Sequence, residues 1–540
     1  MDILLMPVIL LPSTPSSRNC SIHNDCYAST YSRIFSLWNP GYSQISLNYF
    51  HPTLVAMDLF LNSKVVGWVL VTTALYCIYD VVYRIYFSPV ASFPGPRLAA
   101  LTFAYEFYYD IVKPGQYIWK IQALHEQYGP IVRINPYEIH INDPEFYDAL
   151  FFNDRAANKW YWSTKIQLQP VVQERIDTLI SRLIDHRGTS AVIQAENAFA
   201  AMANDIVMEY CFGRHEHRVE AENFDPSFST TSRAASHSLT LWKFFHPVLT
   251  LVMSLPESEL CRLGDGIAGA PTMKHAFFQQ IDAIRSGRDV AHSESSYATL
   301  FHEILSSKLP EHEKTTLRLT DEAELIVGAG TETTRWTLSI AVFHLLDNPT
   351  VLRTLKEELR AVDPECQGKT PLPTLQSLPF LSAIINESLR LSYGTTQRLQ
   401  RVFPFPVVFE RSKGGKVWTM PAGTAISVSI PDLHHNKDIF PDSCSFRPGR
   451  WIEDPALIKY QLAFSKGSRR CLGMNLVTAE IYTCLAAVFA KFGSAPLRGD
   501  KDIGILKLSD TTIDDVKLWG DCFLPIQKPG SNGVRITVGV

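Results

Sequence analysis

Phe464-Ser465-Lys466-Gly467-Ser468-Arg469-Arg470-Cys471-Leu472-Gly473 is the stretch on which the reading of this chain turns. It sets one cysteine in a short loop rich in glycine and arginine, directly ahead of an apolar run from Leu476 to Phe489. Backbone N–H groups and nearby positive charge lower the pKa of a thiol held in such a loop. The thiolate so formed is suited to be the axial ligand of a haem iron, because it pushes electron density onto the metal. Gly467 and Gly473 allow a sharp turn and a close approach to a flat cofactor. Arg469 has the charge to pair with a haem propionate, and Phe464 can shield the sulfur from water.

Two further motifs stand upstream. Glu387-Ser388-Leu389-Arg390 puts a carboxylate and a guanidinium at i, i+3 on one helix face. Phe380-Leu381-Ser382-Ala383-Ile384-Ile385 precedes it, an apolar setting that predicts a buried helix. A buried ion pair needs another partner for its remaining hydrogen bonds. Arg450, in Phe446-Arg447-Pro448-Gly449-Arg450-Trp451, is the expected partner. The second motif, Ala329-Gly330-Thr331-Glu332-Thr333-Thr334, lies inside a helical stretch from about Asp321 to Leu346. Glycine and consecutive threonines weaken a helix locally, through backbone entropy and hydroxyl bonds to the preceding turn.

In order and spacing the three motifs resemble those of the cytochrome P450 superfamily, the haem-thiolate monooxygenases. The resemblance runs from about Val65 to the C-terminus. The wording of Tyr83–Phe87 and Gly115–Lys120 is similar to fungal members of secondary metabolism, trichodiene-oxygenase-like enzymes among them. It implies a mainly α fold with small β-sheets, one large domain behind an N-terminal membrane anchor. It implies haem b as cofactor, dioxygen as co-substrate, and NADPH as electron source through a flavoprotein reductase. Cys471 is then the axial ligand, and Phe464, Gly467, Arg469 and Gly473 contact the haem. Arg401 meets a second propionate, with Arg398 as the alternative. Glu387, Arg390 and Arg450 form a structural triad, with Gly449 where the family has glutamate. Ala329 and Gly330 shape the oxygen groove, Thr333 hydrogen-bonds the bound oxygen, and Glu332 relays protons. His434 and His435 read as packing or surface residues. The implied substrate is a lipophilic small molecule, a terpenoid or a related metabolite, and the apolar segment Leu239–Leu251 suits the roof of its pocket. A haem-thiolate isomerase or dehydratase, and a non-catalytic remnant, are the other readings.

Helices are predicted at Glu145–Phe152, Pro170–Asp185, Glu196–Tyr210, Asp321–Leu346, Thr350–Ala361, Leu378–Leu391 and Leu476–Lys491. Strands are predicted at Ile131–Arg133, Glu138–Ile141, Lys416–Met420 and Val534–Val538. The chain has 540 residues and no low-complexity linker inside residues 95–540, which favours one large domain. A net charge of −4 gives no basis for a nucleic-acid partner. The ten cysteines are scattered without CxxC spacing, so neither a disulfide framework nor a zinc site is suggested.

Val65 to Tyr79 carries no charge, and apolar character continues to Phe87. About twenty apolar residues cross a bilayer as a helix. Residues 57–88 are therefore expected to be a signal anchor in the endoplasmic reticulum membrane, with the catalytic domain, residues 89–540, on the cytoplasmic side. Phe93-Pro94-Gly95-Pro96 resembles the proline hinge behind such anchors. Residues 1–56 form an extension that precedes a second candidate start, Met57; Asn19-Cys20-Ser21 within it is a glycosylation sequon. The chain departs from the family between Trp160 and Pro170. There, relatives have a few dozen residues that cover the substrate and include a helix whose Trp/His-x-x-x-Arg pattern holds a propionate. Trp160 and Trp162 are not followed by arginine at that spacing.

Overall fold

The structure, a computed structural model, describes residues 63–143, 146, 168–253, 265–289, 299–410 and 417–540. The extension before Met57, the expected helix over 145–152 apart from Phe146, and the departure after Trp160 lie outside these residues.

The chain divides into two compact units, residues 1–79 and 80–540. The described part of the first is the start of helix α1 (Ser63–Val82). Trp68 on it is 71% exposed, and Leu70, Leu75 and Tyr76 are exposed as well. The window Leu70–Phe87 is long and apolar enough to cross a membrane, and none of it is buried.

The second unit is mainly helical with small sheets, as the sequence predicts. Its long helices are α2 (Tyr117–Tyr128), α3 (Gln169–Asp185), α4 (Ala195–Phe212), α5 (Ser227–Met253), α6 (Asp265–Arg285), α7 (Thr316–Asp347), α8 (Pro349–Val362), α9 (Pro379–Ser392) and α10 (Met474–Lys491). Helix α7 is the axis of the unit. Thr315 starts it by accepting a hydrogen bond from the Arg318 N–H, and Asn348, just past its end, caps α8 by accepting from the Val351 N–H. From Thr334 to Leu346 every residue of α7 is buried, as expected for a helix covered on all sides. Helix α4 supplies one wall with small side chains, Ala198, Ala201 and Ala203 among them. A methyl group at Gly330 would stand 3.0 Å from Val207 Cγ2 of α4, so glycine is what permits this close approach. Helices α3, α8, α9 and α10 complete the main core.

The strands form small peripheral sheets. One has the order β1 (Ile131–Arg133), β2 (Glu138–Ile141), β7 (Ala425–Val428), β4 (Leu399–Val402), with β2 and β7 parallel. A hairpin joins β5 (Val407–Glu410) to β6 (Val417–Met420). A third sheet runs β3 (Ile193–Gln194), β12 (Arg535–Gly539), β9 (Gly504–Leu508), β8 (Phe492–Ser494), and β10 (Gly520–Cys522) pairs with β11 (Leu524–Ile526).

One buried ionic cluster ties α9 to the chain ahead of the cysteine loop. Glu387 and Arg390 are both fully buried and share two hydrogen bonds of 2.9 Å. Arg390 also donates to the carbonyls of His434 (2.9 Å), Ser443 (2.7 Å) and Ser445 (3.2 Å). Glu387 accepts further bonds from Arg450 Nε (3.2 Å), the Arg447 N–H (2.8 Å) and Trp451 Nε1 (2.9 Å). Burial alone would raise the Glu387 carboxyl, but the bonds and charge of Arg390, with Arg447 and Arg450, hold it below its ordinary value. His434 is buried beside the cluster, its Nδ1 on the Arg390 carbonyl and its Nε2 accepting from the Leu462 N–H. Burial pushes its pKa down to about 3, so it packs as a neutral ring.

Removing the carboxylate would leave two buried guanidinium groups without their anion. Glu387→Ala is expected to lower stability by about 3–5 kcal/mol, read as a fall in the urea midpoint at unchanged m-value.

Candidate active site

The loop of Cys471 is closed by its own backbone. The Cys471 N–H donates to the Phe464 carbonyl at 2.8 Å, and the Ser465 N–H to the Leu462 carbonyl at 2.7 Å. Gly467 holds φ = +70°, a left-handed conformation that favours glycine, and opens a short turn to Arg469. Gly473 serves differently. Its φ is an ordinary −79°, and a methyl group there would meet nothing nearer than Val477 Cγ2 at 3.9 Å. The space beside Gly473, rather than the turn, is what a larger side chain would fill. Phe464 is half-buried against the main core, whereas Arg469, Cys471 and Leu472 (68%) are exposed.

A stripe of α7 is open in the same way. Leu325 is 59% exposed, Ala329 is exposed and Thr333 half-buried, spaced i, i+4, i+8 along one face of the helix and leading into its fully buried second half. The run Ala329–Thr334 does not break the helix. Thr331 and Thr333 each donate their hydroxyl to the carbonyl four residues earlier, at 2.8 and 2.9 Å. Of the two expected groove residues, Ala329 stands on the open stripe, while the side of Gly330 is filled by Val207. Thr334 Oγ1 donates to Glu480 Oε2 at 3.1 Å and so fastens α7 to α10, the helix that begins just after Cys471. Exposed Leu472 and Leu325 and the unfilled side of Gly473 fit a flat apolar macrocycle carried on a thiolate.

Glu332 is buried and held by Arg335, whose Nε donates to Glu332 Oε2 at 2.9 Å. Arg335 Nη1 donates at 2.6 Å to Glu196 Oε2, at the start of α4. Glu332 Oε1 is buried and has no hydrogen-bond partner among the described residues. Glu196 and Arg233, 3.9 Å apart, line a cavity of about 530 Å³. Arg335 and Glu196 are not among the residues expected from sequence. Glu332-x-x-Arg335 nonetheless repeats the i, i+3 spacing of Glu387 and Arg390.

The structure also separates the two arginines considered for a propionate. Arg398 is half-buried and bonded to Glu106, with Glu138 at 3.3 Å. Arg401, half-buried on β4, carries neither of these carboxylates. His435 bonds the Tyr393 hydroxyl at 2.7 Å through Nε2.

Residues 151–513 match the family model for cytochrome P450. This chain belongs to the cytochrome P450 family. It is 36% identical over 504 residues to a cytochrome P450 monooxygenase of Cochliobolus heterostrophus, covering 87% of this chain and 96% of that protein. It is 37% identical over 508 residues to another of Talaromyces wortmannii, covering 87% and 97%. A tryptophan 6-hydroxylase of Fusarium equiseti is 35% identical over 510 residues, with 87% and 96% covered. The enzyme is a monooxygenase of the P450 kind, with haem b as its cofactor and a reductase as its electron source. Since 87% of 540 residues is about 470, about 34 of the 504 positions aligned with the Cochliobolus heterostrophus protein face no residue of this chain.

Burial pushes the Glu480 carboxyl up to about 8, against the hydrogen bond from Thr334. A raised pKa means stability that is full below the ordinary carboxylate range and is lost as pH rises through 8. Glu480→Gln is therefore expected to gain on the parent between pH 5 and 8, and to hold that gain above pH 8. Paired thermal melts across this range read the difference.

Proposed function

We propose that the protein hydroxylates or epoxidises a lipophilic small molecule of fungal secondary metabolism, drawing electrons from NADPH through a flavoprotein reductase. The observation that carries this is the pairing of the exposed Cys471 loop with the open Leu325–Ala329–Thr333 stripe, on helices fastened by Thr334 and Glu480. Bound haem supplies the oxidising power that puts one atom of dioxygen into a C–H or C=C bond.

The chain's own residues bind, orient and deliver protons. Cys471 holds the metal as thiolate, favoured by the positive charge of Arg469 and Arg470. Arg469 and Arg401 pair with propionates, Phe464 keeps water from the sulfur, and Gly473 leaves room for the ring. Thr333 Oγ1 has a donor to turn from the Ala329 carbonyl toward an oxygen atom over the open stripe. Glu332 Oε1 is the place where a proton can wait, and Arg335 fixes that carboxylate. Glu196 links it to the larger cavity, from which protons return. A monooxygenase needs such delivery, which argues against isomerisation or dehydration.

The relatives named as tryptophan and N-acetyltryptophan 6-hydroxylases, the latter from Emericella nidulans, support an aromatic skeleton beside the terpenoid expected from the wording of the sequence. Residues 57–88 anchor the enzyme in the endoplasmic reticulum membrane in a single pass, with residues 89–540 as the cytoplasmic catalytic domain. Lys64 precedes the uncharged run Val65–Tyr79 and Arg84 and Arg97 follow it, an excess of positive charge on the catalytic side. We assign the aligned positions without a counterpart here to the stretch between Trp160 and Pro170, where loss of an exon from the transcript would account for them. Reads joining codons 162 and 170 in mature message would count against that origin.

The dithionite-reduced carbon monoxide difference spectrum tests the site directly. A strongly red-shifted Soret band is expected, and Cys471→Ala should abolish it. An unshifted band from folded protein would favour the remnant. Thr333→Ala is expected to keep NADPH consumption while product falls by about tenfold or more. Unchanged coupling removes the role given to Thr333.

A further inference from the structure

A second cavity, of about 230 Å³, lies where the roof segment, β4 and the β10–β11 hairpin meet. Lys243 reaches it from the roof, Arg398 from just before β4, and Asp521 and Phe523 from the hairpin. Asp110 and Tyr117 close the remaining side, with Ile118 and Ile121 behind. The hairpin is joined to the central helix by a short path. Thr337 Oγ1 of α7 donates to Ser392 Oγ at 3.0 Å, and four residues on Thr396 Oγ1 donates to Asp521 Oδ1 at 2.7 Å. The Thr396 N–H donates to the Phe523 carbonyl at 3.1 Å.

The charges around this cavity are unequally satisfied. Both cations are already engaged: Lys243 and Arg398 each bond Glu106, and Arg398 also meets Glu138. Burial would raise Glu106, but Arg398 and Lys243 hold it down to about 2. Glu106 and Glu138 thus absorb the positive charge, and two further carboxylates remain. Among the described residues Asp521 is bonded by neutral donors, Thr396 and the Phe523 N–H. Asp110 has no side-chain hydrogen bond or ion pair among the described residues. Burial pushes its carboxyl up to about 7, opposed by Arg398 and Lys243 and helped by Glu106 and Asp521. Among the described residues a ligand carboxylate entering here would find both cations already engaged. A ligand cation would find two carboxylates and an aromatic face.

We propose that this cavity receives a protonated amine of the substrate between Asp110 and Asp521, with its apolar body against Phe523 and Ile118. The inference rests on the monooxygenase reading above and narrows its substrate to a basic amine on a lipophilic skeleton. Charge selection follows from the geometry: an ammonium in a partly dry pocket gains charge-assisted hydrogen bonds that a neutral or acidic analogue cannot make.

Three probes of one shape test it: tryptamine, 3-ethylindole and indole-3-propionate, each titrated calorimetrically into the detergent-solubilised full chain. Tryptamine is expected to bind about tenfold or more tighter than either analogue. Asp110→Asn should erase that preference. Lys243→Gln removes a competing cation and should tighten tryptamine several-fold. Tighter binding of the acid, equal or absent binding of all three, or a preference that survives Asp110→Asn overturns the proposal. Should Asp110→Asn fail to fold, unchanged or weaker tryptamine affinity in Lys243→Gln does so. Heat of binding does not depend on the carbon monoxide band, so a wrong substrate class and a failed haem site give different results.

Discussion

Everything on the cysteine side of this enzyme hangs from the Glu387 carboxylate. Two arginines, a tryptophan and a backbone N–H converge on its two oxygens, and Arg390 spends its other donors on three carbonyls of the 434–445 segment. A buried ion pair stabilises little when measured against a well-packed apolar alternative. What this one does is fix position: it sets the path of the chain from His434 to Trp451, from which the cysteine loop follows. Every polar atom is bonded in one arrangement, so the segment has no second way to lie that satisfies the same groups.

The central helix depends on a different economy. It is buried through its second half, so its threonines return their hydroxyls to its own carbonyls or, as with Thr334, reach a neighbouring helix. Where the stripe Leu325–Ala329–Thr333 is left open, its apolar surface is exposed among the described residues. Exposed apolar surface in the middle of a core helix marks a place for a ligand. The cysteine loop presents the same signature in Leu472, and the two come from helices joined through Thr334 and Glu480.

Much of this was legible in the sequence because it is local. The loop closure from Cys471 to Phe464, the i, i+3 spacing of Glu387 and Arg390, and strands β1 and β2 each depend on residues within a few positions of one another. Helices α3, α4, α7, α8, α9 and α10 lie within a few residues of their expected ranges, at Pro or Asn boundaries where such boundaries occur. Helices α2, α5 and α6 went unread. α6 carries Pro271 inside it, α5 has a non-helical residue at Phe245, and the buried stripe of α2, Tyr117, Ile118, Ile121, Leu124 and His125, is short and interrupted by Trp119, Lys120 and Gln122. The choice between Arg398 and Arg401 could not be made from spacing. What separates their surroundings is Glu106, which bonds Arg398 from 292 positions away in the chain. The same holds for Glu196, which meets Arg335 across 139 positions.

The buried carboxylates divide by how completely they are bonded. Glu387, which only holds structure, has its charge fully met and its pKa lowered. Glu332 keeps one oxygen buried and unpartnered, Asp110 keeps its carboxyl unpaired at a cavity wall, and Glu480 has a single neutral donor. Leaving such groups unmet costs stability, which a fold tolerates where something else is to arrive. By that test Glu332 and Asp110 stand apart from Glu387 as the carboxylates we propose for a proton and a ligand charge, whereas Glu480 spends its single bond on holding α7 to α10.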